Sequence, residues 1–192
     1  MTIASTLADS EVSIPEPIEP PANSNERVIA VTGDESEVAA RLRSGDHRGA
    51  IAACARLGRP LIVVGTGQEE RRLRSLAGPG VSFRGWVTDA EMAALYSGAR
   101  GLLFPGEEDF GIIPVEAMAS GCPVVALGRG GALETVGRGA AADELARVAH
   151  GGVSLAPGGA LFGQATAESL IEAIRLVEEC PAAPASLRAV AE

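Results

Sequence analysis

Glu108 and Glu116 stand eight positions apart in the stretch EEDFGIIPVEAMASGCPVVAL, residues 107–127. Carboxylates accept hydrogen bonds from vicinal hydroxyls, and the unpaired amides at a helix start donate to phosphate. In one helix, eight residues would be about two turns and both acids would share a face. Pro114 argues against this, because proline disfavours helical geometry in the residue before it and suits the first position of a helix. The sequence therefore predicts a helix with Pro114 at its first position, Glu116 at its third and Gly121 as its stop. Glu108 falls on the loop ahead of it. Gly101 to Phe104 reads as the preceding strand and Pro123 to Leu127 as the next. Parallel strands connected in this way place such loops at the carboxyl edge of the sheet, where open α/β sheets bind ligands. Two carboxylates beside helix-start amides can hold hydroxyls and a phosphate together, a combination that suits a nucleotide sugar. The same residues also have a plainer use. An acid at the third helical position stabilises the helix start, and a Glu-Glu-Asp run on a loop is commonly just solvated. Spacing alone leaves both readings open.

The composition narrows the chemistry. The chain has 192 residues, enough for one domain with a sizeable core, and is 46% hydrophobic but only 3% aromatic. Its core must therefore be built from Ala, Val, Leu and Ile. A formal net charge of -9 argues against nucleic acid as a partner, which calls for a basic surface. All 16 basic residues are arginines, so no lysine amine is present to act as a nucleophile or form a Schiff base. Arginine favours planar, bidentate recognition of phosphate or carboxylate. Cys54, Cys122 and Cys180 are odd in number, far apart and set in apolar contexts, and are expected to be buried, reduced thiols of a cytoplasmic protein. His47 and His150 lack metal-ligand spacing, so no metal site is expected. No apolar run approaches the roughly 18 residues of a transmembrane segment, and the first residues lack the basic and apolar regions of a signal peptide. The expectation is a soluble, cytoplasmic protein.

Three regions follow from the pattern along the chain. Residues 1–26 contain SIPEPIEPPANSNE and read as a Pro-rich acidic tail or linker. Residues 27–180 alternate strands and helices, and residues 181–192 read as a frayed C-terminal tail. Within the middle region, RVIAVTG, PLIVVGTG and VSFRGWV read as strands, while HRGAIAACARLG, QEERRLRSLAG and TDAEMAALYSGA read as helices. Gly58 stops the first helix, and Thr88 with Glu91 forms a capping box for the third. After Leu127 come a Gly-rich turn with a short helix, GRGGALETV, and a stretch, GRGAAADELARVAHGGVSLAPGG, that fits an inserted helix and loop. ALFG is a short strand, and TAESLIEAIRLVEE is an amphipathic helix capped by Thr166, with Leu170, Ile171, Ile174 and Val177 on one face. The predicted fold class is α/β, a Rossmann-like parallel sheet with helices on both faces. Gly65 and Gly67 give the start of a dinucleotide fingerprint, but Glu70 stands where its third glycine belongs, and plain turn chemistry is the better reading.

The stretch from Pro60 to Val136, with EEDFGIIPVEAMASGCPVVA and GGALETV at its end, closely resembles the C-terminal donor-binding domain of the family-four (group 1) retaining glycosyltransferases of GT-B fold. LFGQATAESLIEAI extends the likeness, which covers about two thirds of the chain. The E-x7-E pattern of Glu108 and Glu116 is its most specific part. The resemblance implies that Glu108 contacts the donor sugar, as the catalytic carboxylate, and that Glu116 binds the ribose. It implies too that amides near Gly111 and Ile112, beside Phe110, meet the diphosphate, and that Gly85, Trp86 and Val87 flank the base. The nucleotide sugar would be a substrate, with no cofactor required. The family pairs an arginine with a downstream lysine at the diphosphate. Here Arg41 keeps the first place, Gly45 or Asp46 falls on the second, and Arg43 or Arg48 is left to substitute. A GT-B enzyme also has an N-terminal acceptor domain, and only about 25 residues precede the donor domain here. The chain is thus expected to be a fragment, one half of a split enzyme whose partner is a separate acceptor domain, or a remnant that binds without catalysing.

Overall fold

The computed structural model describes residues 28–32, 46–66, 70–107, 109 and 111–192. The first strand, β1 (Val28–Thr32), is followed by α1 (Asp46–Leu57), β2 (Leu61–Val64), α2 (Glu70–Leu76), β3 (Val81–Gly85), α3 (Asp89–Gly98) and β4 (Ala99–Phe104). Then come α4 (Ile112–Ala119), β5 (Val124–Leu127), α5 (Gly131–Glu134), α6 (Ala142–Ala149), β6 (Val153–Ala156), β7 (Gly159–Phe162), α7 (Ala167–Glu179) and α8 (Pro184–Ala191). The strands form one seven-stranded sheet in the order β3-β2-β1-β4-β5-β7-β6. Every pairing is parallel except β6 with β7, which run antiparallel. The strand β6, read from sequence as part of a loop, closes the sheet at one margin.

Alternation along the strands splits the core between the two faces. Leu103, Val125, Ala160 and Phe162 point into a cluster with Ala50, Ile51 and Cys54 of α1, Leu73 of α2, and Leu170, Ile171, Ile174 and Val177 of α7. Leu102, Phe104, Val124, Ala126 and Leu161 point into the opposite cluster, which takes Tyr96 of α3, Ala117 and Met118 of α4, and Val148 of α6. The expected stripe of α7 is therefore the buried one, and Thr166 caps that helix by accepting from the Ser169 amide at 3.2 Å. The expected capping box of α3 is also formed: the Thr88 amide donates to Glu91 at 2.7 Å and the Glu91 amide donates to Thr88 Oγ1 at 3.3 Å.

The segment expected to fray does not. Residues 184–191 form α8, whose Leu187 is 0% exposed and packs in the same cluster as Met118. The sequence reading missed it because Leu187, Val190 and Ala191 make too short a stripe to stand out without the surface that receives it. Gly121 helps to make that surface. Its φ of +80° ends α4, and a Cβ there would come within 2.9 Å of Pro184. Cys180 also departs from expectation: Cys54 and Cys122 are buried, whereas Cys180 is exposed at the end of α7. Burial pushes both the Cys54 and Cys122 thiols up to about 12, with the Glu178 charge adding to the effect at Cys54. Neither is a thiolate nucleophile near neutrality.

At the amino edge of the sheet, Glu178 of α7 ties three elements together. Arg59, just ahead of β2, donates to it twice at 2.7 and 2.9 Å, and Arg100 of β4 donates at 3.0 Å. The Glu178 side chain is only 16% exposed. The Arg59 hydrogen bonds, followed by those of Arg100 against the opposing effect of burial, hold its carboxyl below the usual range. A carboxylate whose pKa falls on folding adds stability above its unfolded value, and that stability is lost as the pH drops through the folded value. Glu178→Gln should therefore destabilise the chain near neutrality by roughly 1–2 kcal/mol. The difference from wild type should shrink below about pH 4, as seen in urea unfolding at a series of pH values. Leu187→Ala should cost about 2–5 kcal/mol in the same assay, the usual range for a fully buried leucine, whereas a frayed tail would show no change.

Candidate functional site

The strand order turns around at β1, which pairs with β2 on one side and β4 on the other. Successive crossovers leave in opposite directions there and open a crevice beyond the carboxyl ends of the strands, the usual ligand site of an open α/β sheet. Two connections border it. The one from β1 contains Arg41 and Arg43, which lie outside the described residues, as does Gly45, one of the two expected lysine positions; the other, Asp46, opens α1. The one from β4 runs from Pro105 to Gly111 and carries Glu108 and Phe110, which also lie outside them.

The described part of the β4 connection is built by glycine. Gly111 is buried and adopts φ 74° and ψ 65°, a left-handed conformation that turns the chain directly into α4. This corrects the expected helix start. The first helical residue is Ile112 and not Pro114, which makes Pro114 the third residue and Glu116 the fifth. A proline is tolerated there because none of the first four amides of a helix has an intrahelical acceptor to lose. Among the described residues, no side chain caps this helix start. The amides at Gly111, Ile112 and Ile113 thus present the positive end of the helix dipole at the crevice. Ile112 is 60% exposed, and Glu116, one turn further on, shares its face and is exposed too. Pro114, Ala117 and Met118 are buried behind them. The helix is fixed by its apolar side and offers one carboxylate outward.

Gly85 is the last residue of β3, two residues short of the end expected for the strand VSFRGWV, and its carbonyl accepts from the Gly65 amide at 2.7 Å. Trp86 and Val87 follow, with Trp86 78% exposed. Since β2 and β1 intervene between β3 and β4, the ends of those strands stand about 14 Å apart along the same edge. The sheet therefore puts Gly85–Val87 and the α4 start on one rim, but across it and not in contact. The turn reading of VVGTGQEE agrees with what is described of it. Glu70 opens α2 and forms an ion pair with Arg74 at 2.8 Å, one helical turn on. The exposed Arg129, between β5 and α5, also belongs to this rim. Sequence reading saw only a turn in GRGG; the signal was a lone arginine among glycines directly after a buried strand.

The family model described as Glycosyl transferases group 1 matches residues 37–179. A comparison with curated protein sequences finds no match. Among solved structures, the chain is similar to sucrose-phosphate synthase from Thermosynechococcus elongatus, at 27% identity and a TM-score of 0.63, over 88% of this chain and 40% of that one. It is similar to Anabaena HepE in complex with UDP at 23% identity and a TM-score of 0.62, over 88% of this chain and 43% of that one. The catalytic domain of starch synthase IV from Arabidopsis thaliana, bound to ADP and acarbose, follows at 15% identity and a TM-score of 0.63, over 89% and 35%. The last two are likenesses of fold. The chain spans about two fifths of the length of these structures.

The left-handed turn at Gly111 is open to a direct test. Gly111→Ala should lower stability by about 1–2 kcal/mol, the usual penalty for a side chain in that conformation. Thermal unfolding would register this as a fall of a few degrees. An unchanged melting temperature would show that the turn is not held left-handed.

Proposed function

The chain belongs to the group 1 glycosyltransferases, and from that premise we propose that it is the donor-binding half of a GT-B glycosyltransferase that transfers a sugar from a nucleoside diphosphate with retention. One observation carries the reading: a helix start that no side chain among the described residues caps and an exposed carboxylate, Glu116, stand together at the strand-order reversal. In this reading the amides at Gly111 and Ile112 receive the diphosphate, and Glu116 accepts hydrogen bonds from the ribose hydroxyls. Glu108, eight residues earlier in the sequence, takes the sugar hydroxyls, and Phe110 contributes to donor binding beside it. Gly85, Trp86 and Val87 flank the base, and Arg41 and Arg43 approach the phosphates from the β1 connection. The nucleotide sugar is the donor substrate and no separate cofactor is involved.

In the transfer, an acceptor oxygen replaces the diphosphate oxygen at the anomeric carbon on the same face of the sugar. The protein's part is to stabilise the charge that gathers on the departing diphosphate, using donors already aimed at it. The amides of α4 do this without reorganisation, because Gly111 and the buried Pro114, Ala117 and Met118 fix their direction before the ligand arrives.

A second reading separates donor binding from transfer. The described residues build one sheet, and the chain spans about two fifths of the solved structures it resembles. Positioning an acceptor at the anomeric carbon can lower a barrier by roughly 7–11 kcal/mol, and in this reading a separate acceptor domain supplies that part. Incubating the chain with labelled nucleotide sugars and acceptors, alone and with an acceptor domain from a related enzyme, divides the two. Transfer by the chain alone supports the first, and transfer only on mixing supports the second.

Donor binding itself is tested by calorimetric titration with UDP, ADP and GDP. One of these should bind, and Glu116→Ala should weaken it about ten-fold or more, since a hydrogen bond to a charged acceptor is worth roughly 1.5–3 kcal/mol. Equal affinity in wild type and variant would remove Glu116 from the site, and no binding of any nucleotide would remove the donor-site reading.

A further inference from the structure

The geometry points to Arg129 as a further phosphate-binding residue of this site, an inference that rests on the donor-site reading. Phe104 of β4 pairs with Ala126 of β5, so the chain segments leaving these strands start side by side, about 4.8 Å apart. One leads to the α4 start and the other reaches Arg129 three residues beyond Ala126.

The backbone under Arg129 is held on both sides. The Gly128 amide donates to the Phe162 carbonyl of β7 at 2.8 Å, and the Arg129 amide donates to the Leu127 carbonyl at 2.7 Å. A Cβ on Gly128 would lie 2.3 Å from Val148 Cγ1, so the backbone here lies close against α6 with no room for a side chain. Gly130, at φ 54° and ψ -141°, turns the chain away at once into α5. Arg129 is thus presented at the tip of a short, anchored turn, with its side chain exposed.

Charge completes the argument. Among the described residues of the loops that leave the parallel strands at this edge, Arg129 is the only cation, while Glu107 lies on the neighbouring loop and Glu116 on α4. A diphosphate entering among these carboxylates is repelled by them. Helix-start amides carry only about half a positive charge. The guanidinium adds a full one in a planar fork that matches two phosphate oxygens, and among the described residues it forms no ion pair or side-chain hydrogen bond that would have to be broken first. Arg129 therefore balances the acidic rim for an anionic ligand and acts on the phosphates, not on the base or ribose.

The experiment titrates the full chain and its Arg129→Gln and Arg129→Lys variants with UDP and ADP, and with uridine and adenosine. Arg129→Gln should weaken the bound diphosphate about ten-fold or more and leave the affinity for the matching nucleoside unchanged, with Arg129→Lys in between. Equal diphosphate affinity in wild type and Arg129→Gln overturns the role of Arg129 while leaving the donor site in place. Equal losses for diphosphate and nucleoside overturn it as well, because they report a general disturbance. If wild type binds neither diphosphate nor nucleoside, the donor-site reading fails and this inference falls with it.

Discussion

A parallel strand buried on both faces has no solvated side, so every strand in the run must be joined to the next by a crossover that covers one face or the other. The whole molecule depends on that constraint. Leu102 and Leu103, adjacent in β4, each lie within 1% of full burial, one in each core cluster. Helices must therefore lie both above and below the sheet. Once they do, the strands run one way, their loops gather at one edge, and the direction of winding reverses at β1 and β4. The crevice results from the way the core is covered, before any residue in it is chosen for chemistry.

The two edges of the sheet then divide the labour. At the amino edge the charged groups are spent on each other: Glu178 takes both Arg59 and Arg100, and α7 is tied to the starts of β2 and β4. At the carboxyl edge Glu116 and Arg129 are exposed and stand on backbone fixed by glycine, at Gly111 and Gly128. A charge satisfied within the fold stabilises it, and a charge left to solvent is available to a ligand. Here the same residue types serve both ends, separated by the length of a strand.

The antiparallel strand β6 and the helix α8 lie outside this repeating scheme and complete it. β6 gives the sheet a hairpin margin against β7, and α8 covers the α4 side, where Leu187 is fully enclosed. α4 is thereby held from below by the sheet and from its far end by α8, leaving only its first turn and the Ile112–Glu116 face toward solvent. The helix that presents the candidate phosphate site is thus anchored by its buried Pro114, Ala117 and Met118.

Much of this was legible in the sequence because it is local. The strand-helix alternation, the Thr88–Glu91 capping box, the Thr166 cap and the buried stripe of α7 rest on interactions within a few residues, and hydrophobic period and capping chemistry report those directly. The resemblance carried by residues 107–127 likewise singled out the connection at the strand-order reversal, although the positions of Glu108, Phe110, Arg41 and Arg43 within it lie outside the described residues. What the sequence could not show depends on partners distant in the chain. The start of α4 moved to Ile112 because Gly111 adopts a left-handed turn that proline rules do not anticipate. The last residues form a helix against a surface more than 60 positions earlier in the chain, where Gly121 leaves room for Pro184 and Met118 shares a core cluster with Leu187. Arg129 joined the rim only because β5 lies beside β4, a neighbour relation that no local pattern encodes. The sequence by itself determined the family and the elements other than β6 and α8, since these are written in short-range patterns. Only the tertiary structure decided which charges are paired and which face the crevice, because that depends on strand order and burial, properties of the assembled sheet.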